Sequence, residues 1–179
     1  MVGPGRQERA WIRGAQTGSA SDLEALFREH WPRAHRAAFL VVQDAAAAED
    51  IAQEAFLAAV RNLDRFDRRR PFGPWLHRIV VNRSIDWARA RRLRRETGEV
   101  ETGEEEFDTG DLGNPFSEGI AAGLASLKPE QRAVIVLRYL LEYSPGEIAD
   151  LLDLPRGTVN SRLRRGLDRL EDILDREHR

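Results

Sequence analysis

The chain of 179 residues contains no cysteine. This absence excludes disulfides, thiolate metal sites and a cysteine nucleophile, and it suits a reducing cytoplasm. The sequence also lacks the run of about 18 apolar residues that a membrane-spanning helix needs, and residues 1–18 hold no apolar run of signal-peptide length. We therefore expect a soluble, cytoplasmic protein.

Patterns that carry common catalytic chemistry are missing as well. No glycine-rich phosphate-binding loop is present, and Ser144 and Ser161 lack the surroundings of a nucleophilic serine. The four histidines are scattered, and the cluster of acids at 104–106 lies in a segment too polar to form a cleft. The sequence thus predicts no enzyme, with no catalytic residue, no cofactor and no metal site.

Charge is distributed very unevenly along the chain, although the net charge is only -2. Residues 61–95 contain twelve arginines against three aspartates, a balance of +9, and residues 155–169 contain five arginines against one aspartate, a balance of +4. Between them, residues 96–118 contain nine acids and no base. Two basic segments are therefore separated by an acidic one.

The apolar residues on both sides of the acidic segment recur at helical spacing. This pattern predicts an all-α fold of two small helical domains joined by an acidic flexible linker, because the linker has too few apolar residues to fold alone. The predicted boundaries are a flexible N-terminus at 1–20, a first domain at 21–95, the linker at 96–118 and a second domain at 119–179.

Capping signals predict where helices begin in the first domain. Ser21 with Glu24 has the pattern of a capping box, and Asp44 is expected to cap a second helix that runs to about residue 63. Pro32 is expected to kink or restart the first helix. A third helix is predicted from about Pro74 to residue 95.

The second domain has the pattern of a helix-turn-helix. Ser144, Pro145 and Glu147 combine an N-cap, a proline at the first helical position and a capping-box acid. Asp153 is expected to take the left-handed turn conformation, and Val159 to anchor the final helix. The outward face of that helix suits the major groove of DNA, with arginines for phosphates and polar side chains for base edges.

Several motifs resemble those of the sigma-70 superfamily. The sequence DIAQEAF at 50–56 resembles its region 2 helix that docks on the clamp of core RNA polymerase. FGPWL at 72–76, followed by Asn82, Asp86 and the arginine run, looks like the promoter-melting loop and −10-reading helix of extracytoplasmic-function (ECF) sigma factors. LKPEQR at 127–132, EIA at 147–149 and PRGTVNSRL at 155–163 are similar to their region 4.

The resemblance implies a sigma factor that directs RNA polymerase to promoters and initiates transcription. Its implied partners are the clamp and flap regions of core RNA polymerase, promoter DNA that is double-stranded at −35 and single-stranded at −10, and an anti-sigma factor. The implied polymerase-binding residues are Asp50, Gln53, Glu54 and Leu57. The implied −10 residues are Arg65, Arg69, Arg70, Trp75, Arg78, Asn82 and Arg89. The implied −35 residues are Arg156, Thr158, Asn160, Ser161, Arg162, Arg164 and Arg165.

Some alternatives stay open on the sequence alone. Phe66, Phe72 and Trp75 suit either the core or the stacking of unpaired bases. The acidic linker suits a spacer, a mimic of RNA on the polymerase, or an autoinhibitory segment that folds onto a basic region. Asp153 and Asn160 depart from the residues common in the family, so the promoter sequence does not carry over. A stand-alone helix-turn-helix repressor or activator is the main alternative function.

Overall fold

The computed structural model describes residues 5–98 and 118–177, and all regular elements within those two ranges are helical. The first domain contains α1 (Arg6–Gln16), α2 (Ala20–Val42), α3 (Ala45–Arg61) and α4 (Phe72–Glu96). The second contains α5 (Glu118–Ser126), α6 (Pro129–Ile135), α7 (Pro145–Leu152) and α8 (Arg156–Glu177). A 3₁₀ turn at Leu63–Arg65 follows α3, and a π-helical turn at Val136–Leu140 continues α6. The predicted all-α fold of two helical domains is confirmed.

The core of the first domain lies between α2, α3 and α4, which pack against one another along their apolar faces. Leu26, Leu76 and Val80 are completely buried there, and alanines such as Ala37 and Ala55 let the helices approach closely. Full burial of a leucine or valine side chain stabilises a fold by about 1.5–3 kcal/mol, so these few contacts account for much of the domain's stability.

Helix α1 lies in a segment predicted to be flexible. The sequence analysis missed it because the segment offers few apolar residues, yet Ile12 is completely buried against α2. The side-chain amide of Gln16 donates hydrogen bonds to the carbonyl oxygens of Leu63 (2.8 Å) and Phe66 (3.1 Å). Helix α1 therefore ties the segment after α3 to the body of the domain.

The beginnings of α2 and α3 test the capping predictions. The N-cap of α2 is Ser19, whose hydroxyl accepts from the backbone N–H of Asp22 at 3.3 Å, so the predicted cap at Ser21 was wrong. Helix α2 also continues through Pro32 instead of restarting there. The prediction for Asp44 is confirmed, because its carboxylate accepts from the N–H of Ala47 at 2.9 Å.

Helix α7 begins as predicted. Ser144 and Glu147 form a complete capping box at its start, and Pro129 lies in the first turn of α6. The pKa of Glu147 falls to about 2, chiefly because the backbone N–H of Ser144 donates to its carboxylate. Leu137, Ile148 and Val159 are completely buried and join α6, α7 and α8 in one core.

The two domains are in contact, and buried residues of both form one hydrophobic cluster. Helices α2 and α4 of the first domain meet α6, α7 and the π-helical turn of the second. Arg132, only 7% exposed, donates from Nη1 to the carbonyl oxygen of Val41 at 2.7 Å, near the carboxyl end of α2. Desolvation lowers the pKa of Arg132 to about 10, which leaves it charged at neutral pH, and a cation suits the negative end of a helix dipole.

A second buried hydrogen bond crosses the interface. His77 Nδ1 and the hydroxyl of Tyr143 lie 2.8 Å apart. Burial, together with the nearby His30 and Arg33, lowers the pKa of His77 to about 3, and burial raises the pKa of Tyr143. His77 is therefore neutral where the domains meet.

Candidate functional surfaces

The predicted polymerase-binding residues lie together on one side of α3. Asp50, Gln53, Glu54 and Leu57 are all exposed, whereas Ile51, Ala52, Ala55 and Phe56 on the other side are buried. The helical period therefore separates an exposed side from a buried side of α3, as the sequence predicts. We refer to Asp50, Gln53, Glu54 and Leu57 as the α3 face.

The α3 face combines an apolar side chain with organised polar groups. Leu57 is 52% exposed, which is high for a leucine on a helix that packs into a core. Gln53 donates to Glu49 at 3.0 Å, and Glu54 accepts from Arg83 of α4 at 2.6 Å. The sequence analysis missed the pairing of Glu54 with Arg83, because 29 residues separate the two and no local spacing indicates it. Carboxylates and an apolar anchor on a rigid helix suit a protein partner with arginines.

The predicted −10 residues lie on α4 and on the loop that precedes it. Arg65, Arg69 and Arg70 are exposed on the loop, and Arg69 forms a two-pronged ion pair with Asp67. That pair lowers the pKa of Asp67, since Arg69 donates to its carboxylate. With Arg68, the loop carries four exposed guanidinium groups, and such a cluster of cations suits the phosphates of a DNA strand.

The aromatic residues near this loop all pack on the core and differ in how exposed they are. Phe72 is 1% exposed and belongs to the core. Trp75 is half-buried, with its ring centroid 4.6 Å from that of Phe66 and 5.6 Å from that of Phe72. Phe66 and Trp75 therefore form a partly exposed aromatic pair beside the arginines, and such a pair offers a stacking surface for a base.

Arg78, Asn82 and Arg89 of α4 lie outside the core, and both arginines contact acids. Arg89 Nη1 lies 4.0 Å from Asp86, three residues earlier on the same helix. Arg89 also forms an ion pair with Glu130, and Arg78 lies 3.6 Å from Asp153. These two acids belong to the second domain, a proximity that the sequence does not indicate.

The helix-turn-helix of the second domain has the geometry predicted from its sequence. Asp153 adopts the left-handed conformation at φ 58°, ψ 46°, and the N–H of Leu154 donates to the carbonyl of Ala149 at 2.9 Å. The buried Val159 and Leu163 fix α8 against the rest of the domain. Gly166 of α8 lies so close to α6 that an added Cβ would come within 2.7 Å of Ile135, so glycine permits this crossing.

The outer side of α8 presents most of the predicted −35 residues. Arg156, Asn160, Arg164 and Arg165 are exposed, whereas Thr158, Ser161 and Arg162 are half-buried. The hydroxyl of Ser161 donates to the carbonyl of Thr158 at 2.9 Å, which occupies its only proton. Asn160 and the exposed arginines therefore have more freedom than Ser161 to contact DNA. In the described part of the chain, no helix is both long and apolar enough to cross a bilayer.

These features define a two-domain DNA-binding protein with a helix-turn-helix and a second basic surface. Residues 26–94 match the family model for sigma-70 region 2, and residues 117–170 match the model for sigma-70 region 4. The chain is 37% identical over 158 residues to the ECF RNA polymerase sigma factor SigL of Mycobacterium tuberculosis, covering 86% of this chain and 89% of SigL. It is 36% identical over 146 residues to SigW of Bacillus subtilis, covering 71% and 75% of the two chains.

Solved structures agree with the sequence comparisons. CnrH, solved in complex with the cytosolic domain of CnrY, superposes with a TM-score of 0.69 at 28% identity, covering 94% of this chain and 97% of CnrH. The sigma factor RpoE of Bartonella quintana, solved with the anti-sigma factor NepR, has the same fold with a TM-score of 0.72 at 22% identity, covering 87% and 98%. The chain belongs to the ECF family of sigma-70 RNA polymerase sigma factors, and its function is in transcription initiation. A stand-alone regulator would leave the region 2 match of residues 26–94 without a role.

Proposed function

We propose that the chain directs core RNA polymerase to promoters through three surfaces. The α3 face docks on the polymerase. The loop that carries Arg65, Arg69 and Arg70, which we call the arginine loop, binds the single-stranded −10 element together with α4. Helix α8 reads the −35 element in the major groove. The protein acts by binding and not by catalysis, and it works in the cytoplasm. The observation that carries this proposal is the α3 face, because the exposed Leu57 beside the carboxylates of Asp50 and Glu54 offers an apolar anchor and charges to a basic protein surface.

The different chemistry of the three surfaces supports this division of labour. The α3 face has polar acids and an apolar anchor, whereas the arginine loop and α4 have cations and aromatic rings. The cations suit the phosphates of DNA, and the carboxylates of the α3 face suit a basic protein surface. The exposed side of α8 adds an asparagine, whose amide both donates to and accepts from base edges.

The test is run-off transcription with purified core RNA polymerase on genomic promoter fragments. The double variant Gln53→Ala plus Glu54→Ala removes two polar groups of the α3 face, and Glu171→Ala plus Asp172→Ala is the matched control on exposed positions of α8. We expect specific transcripts with the wild type and the control and few or none with the α3 variant. Tight binding of duplex DNA by the protein alone, without any transcript, would refute the proposal.

An anti-sigma factor is a further proposed partner. Both structural relatives described above were solved with a bound partner, and the partner of RpoE is an anti-sigma factor. Such a partner is expected to compete with polymerase for the α3 face. Purification of the chain from its native host followed by run-off transcription tests this proposal, since a co-purifying inhibitor whose removal restores transcripts would support it. Full activity of the native preparation under every growth condition tried would count against it.

A further inference from the structure

Gln16, at the end of α1, holds two carbonyl groups of the turn that follows α3. Its side-chain Nε2 donates to the carbonyl oxygen of Leu63 at 2.8 Å and to that of Phe66 at 3.1 Å. The Leu63 carbonyl also accepts from the backbone N–H of Phe66 at 2.9 Å, which closes the turn. A side-chain amide has two N–H donors, so both are occupied. One planar group therefore fixes the backbone on either side of Asp64 and Arg65.

The arginine loop has no second hydrogen-bonded support of this kind within the described ranges. The other hydrogen bonds of residues 62–70 are made with α3 or with one another, and Gln16 alone joins them to a different helix. The side chain of Leu63 is buried in the core, but apolar packing is not directional. The hydrogen bonds from Gln16 therefore set the orientation of the turn.

Helix α1 is itself anchored, so the amide of Gln16 has a fixed origin. Ile12, one turn earlier, is completely buried. Near the other end of the helix, a carboxylate oxygen of Glu8 lies 3.0 Å from Nε2 of His30 on α2, and both side chains are mostly buried. The ring of His30 in turn lies 5.1 Å from the ring of Phe72, centroid to centroid. These contacts hold α1 against α2 and close to the start of α4.

The turn held by Gln16 carries groups proposed for the −10 element. Arg65 is exposed on it, and Phe66 ends it with a half-buried ring. The centroid of that ring lies 4.6 Å from that of Trp75 and 5.9 Å from that of Phe72. Because one carbonyl held by Gln16 belongs to Phe66 itself, a rotation of the turn would move this ring away from Trp75. The aromatic pair is thus ordered before DNA arrives, and a preorganised surface binds more tightly than one that must order on contact.

We propose that Gln16 is a positioning residue for the −10 surface. Its amide holds the turn so that the ring of Phe66 stays beside Trp75 and receives an unpaired base without rearrangement. Gln16 acts through Phe66 and does not contact DNA itself, because both of its donors are occupied by the turn. The inference deepens the proposed function, on which it rests for the role of the aromatic pair.

The test uses the full chain with Gln16→Met, which keeps the length of the side chain and removes both donors. A second variant, Gln16→Leu, removes the same donors with a side chain of different shape. The matched control is Gln7→Met, the same substitution at an exposed position of α1. Circular dichroism and the affinity for core polymerase should match the wild type in all three variants, because the α3 face lies on another helix.

Run-off transcription at limiting holoenzyme then compares a duplex promoter with the same promoter carrying a pre-opened, non-complementary −10 segment. We expect Gln16→Met to lower transcripts from the duplex about tenfold, since two hydrogen bonds of ordinary net strength shift an equilibrium by that order. On the pre-opened template the loss should be about twofold at most, because capture of a base no longer has to drive its unpairing. Gln7→Met should match the wild type on both templates.

A double-mutant cycle tests whether Gln16 acts through Phe66. Phe66→Ala should lower transcripts from the duplex by itself, and adding Gln16→Met should cause little further loss, because the group that Gln16 positions is already gone. Combining Gln16→Met with Arg164→Ala on α8 should instead multiply the two single effects, since distant sites act independently.

Equal transcription by Gln16→Met and the wild type on the duplex would overturn the inference, and so would an equal loss on the two templates. Multiplied effects of Gln16→Met and Phe66→Ala would overturn it as well, since Gln16 would then act through another group. Each of these outcomes leaves the proposed function standing. The absence of transcripts with the wild type would instead overturn the proposed function, and this inference with it.

Discussion

Acidification should open the interface between the two domains, because His77 is neutral and buried in it. The imidazolium form has two N–H donors, and within the described residues only Nδ1 has a hydrogen-bond partner, the hydroxyl of Tyr143. His30 and Arg33 of α2 add positive charge nearby, and Glu8 of α1 lies against His30. Protonation of His77 therefore destabilises the closed interface.

The sign and size of the effect follow from the two pKa values of His77. Burial lowers its pKa from 6.5 to about 3 in the closed protein, and separation of the domains should restore the ordinary value. The open state then binds the extra proton between pH 6.5 and 3, so closure is favoured above pH 6.5 and weakens as the pH falls through that window. At pH 5 the ratio of closed to open molecules should be about 30-fold lower than at pH 7.5, which corresponds to about 2 kcal/mol.

The measurement uses the absence of cysteine, since introduced cysteines are then the only sites of labelling. Glu29→Cys on α2 and Asp168→Cys on α8 are exposed in separate domains and carry spin labels for pulsed distance measurements. Between pH 7.5 and pH 5 the distance distribution should become longer and broader. Circular dichroism over the same range distinguishes opening of the interface from unfolding of the domains.

The decisive variant is His77→Gln, which keeps a hydrogen-bonding group for Tyr143 but does not titrate. It should flatten the pH response of the distances, whereas the control His35→Gln, at a half-buried histidine stacked on Trp31, should leave the response intact. If His77→Gln opens with the same midpoint and amplitude as the wild type, the linkage to His77 is refuted. A loss of the response in both variants would refute it as well, because another histidine would then control the interface.

Three further predictions concern stability and DNA binding. Gln16→Leu removes the donor to the carbonyls of Leu63 and Phe66, so the arginine loop should exchange its amide hydrogens faster while stability falls by about 1 kcal/mol. Leu26→Ala leaves a cavity at a completely buried position and should cost about 2–5 kcal/mol, measured by urea denaturation. Arg164→Ala removes an exposed cation of α8 and should reduce the slope of log affinity against log salt by about 1 for duplex DNA, with a similar loss for every sequence if the contact is to phosphate.

Short-range sequence signals were sufficient to predict most of the helices. Asp44 and the box of Ser144 with Glu147 act on backbone groups within four residues, so their spacing in the sequence is enough to predict them. The α3 face followed from helical period for the same reason. Ser21 failed as a cap because Ser19 offers the same chemistry two residues earlier, and a spacing rule does not choose between two such serines.

Contacts between distant parts of the chain were beyond this reasoning. Arg132 and Val41 are 91 residues apart, and His77 and Tyr143 are 66 apart, so neither pair leaves a periodic trace in the sequence. Helix α1 was not predicted for a related reason. It is held to the rest of the domain by the buried Ile12 and the side-chain amide of Gln16, whose partners are distant in the sequence. The charge pattern located two basic regions, but it did not indicate that acids of α6 and α7 would meet the first of them.

The ion pairs of Arg78 with Asp153 and of Arg89 with Glu130 join the two domains within one chain, and this changes what controls them. An intramolecular partner has an effective concentration set by its tether, commonly in the millimolar range for short connections, and dilution does not lower it. The fraction of molecules in which the two domains are in contact is therefore independent of how much of the protein a cell makes. Higher expression supplies more molecules in the same proportion of closed and open forms, whereas a competitor for one of the two surfaces or a change in pH alters that proportion.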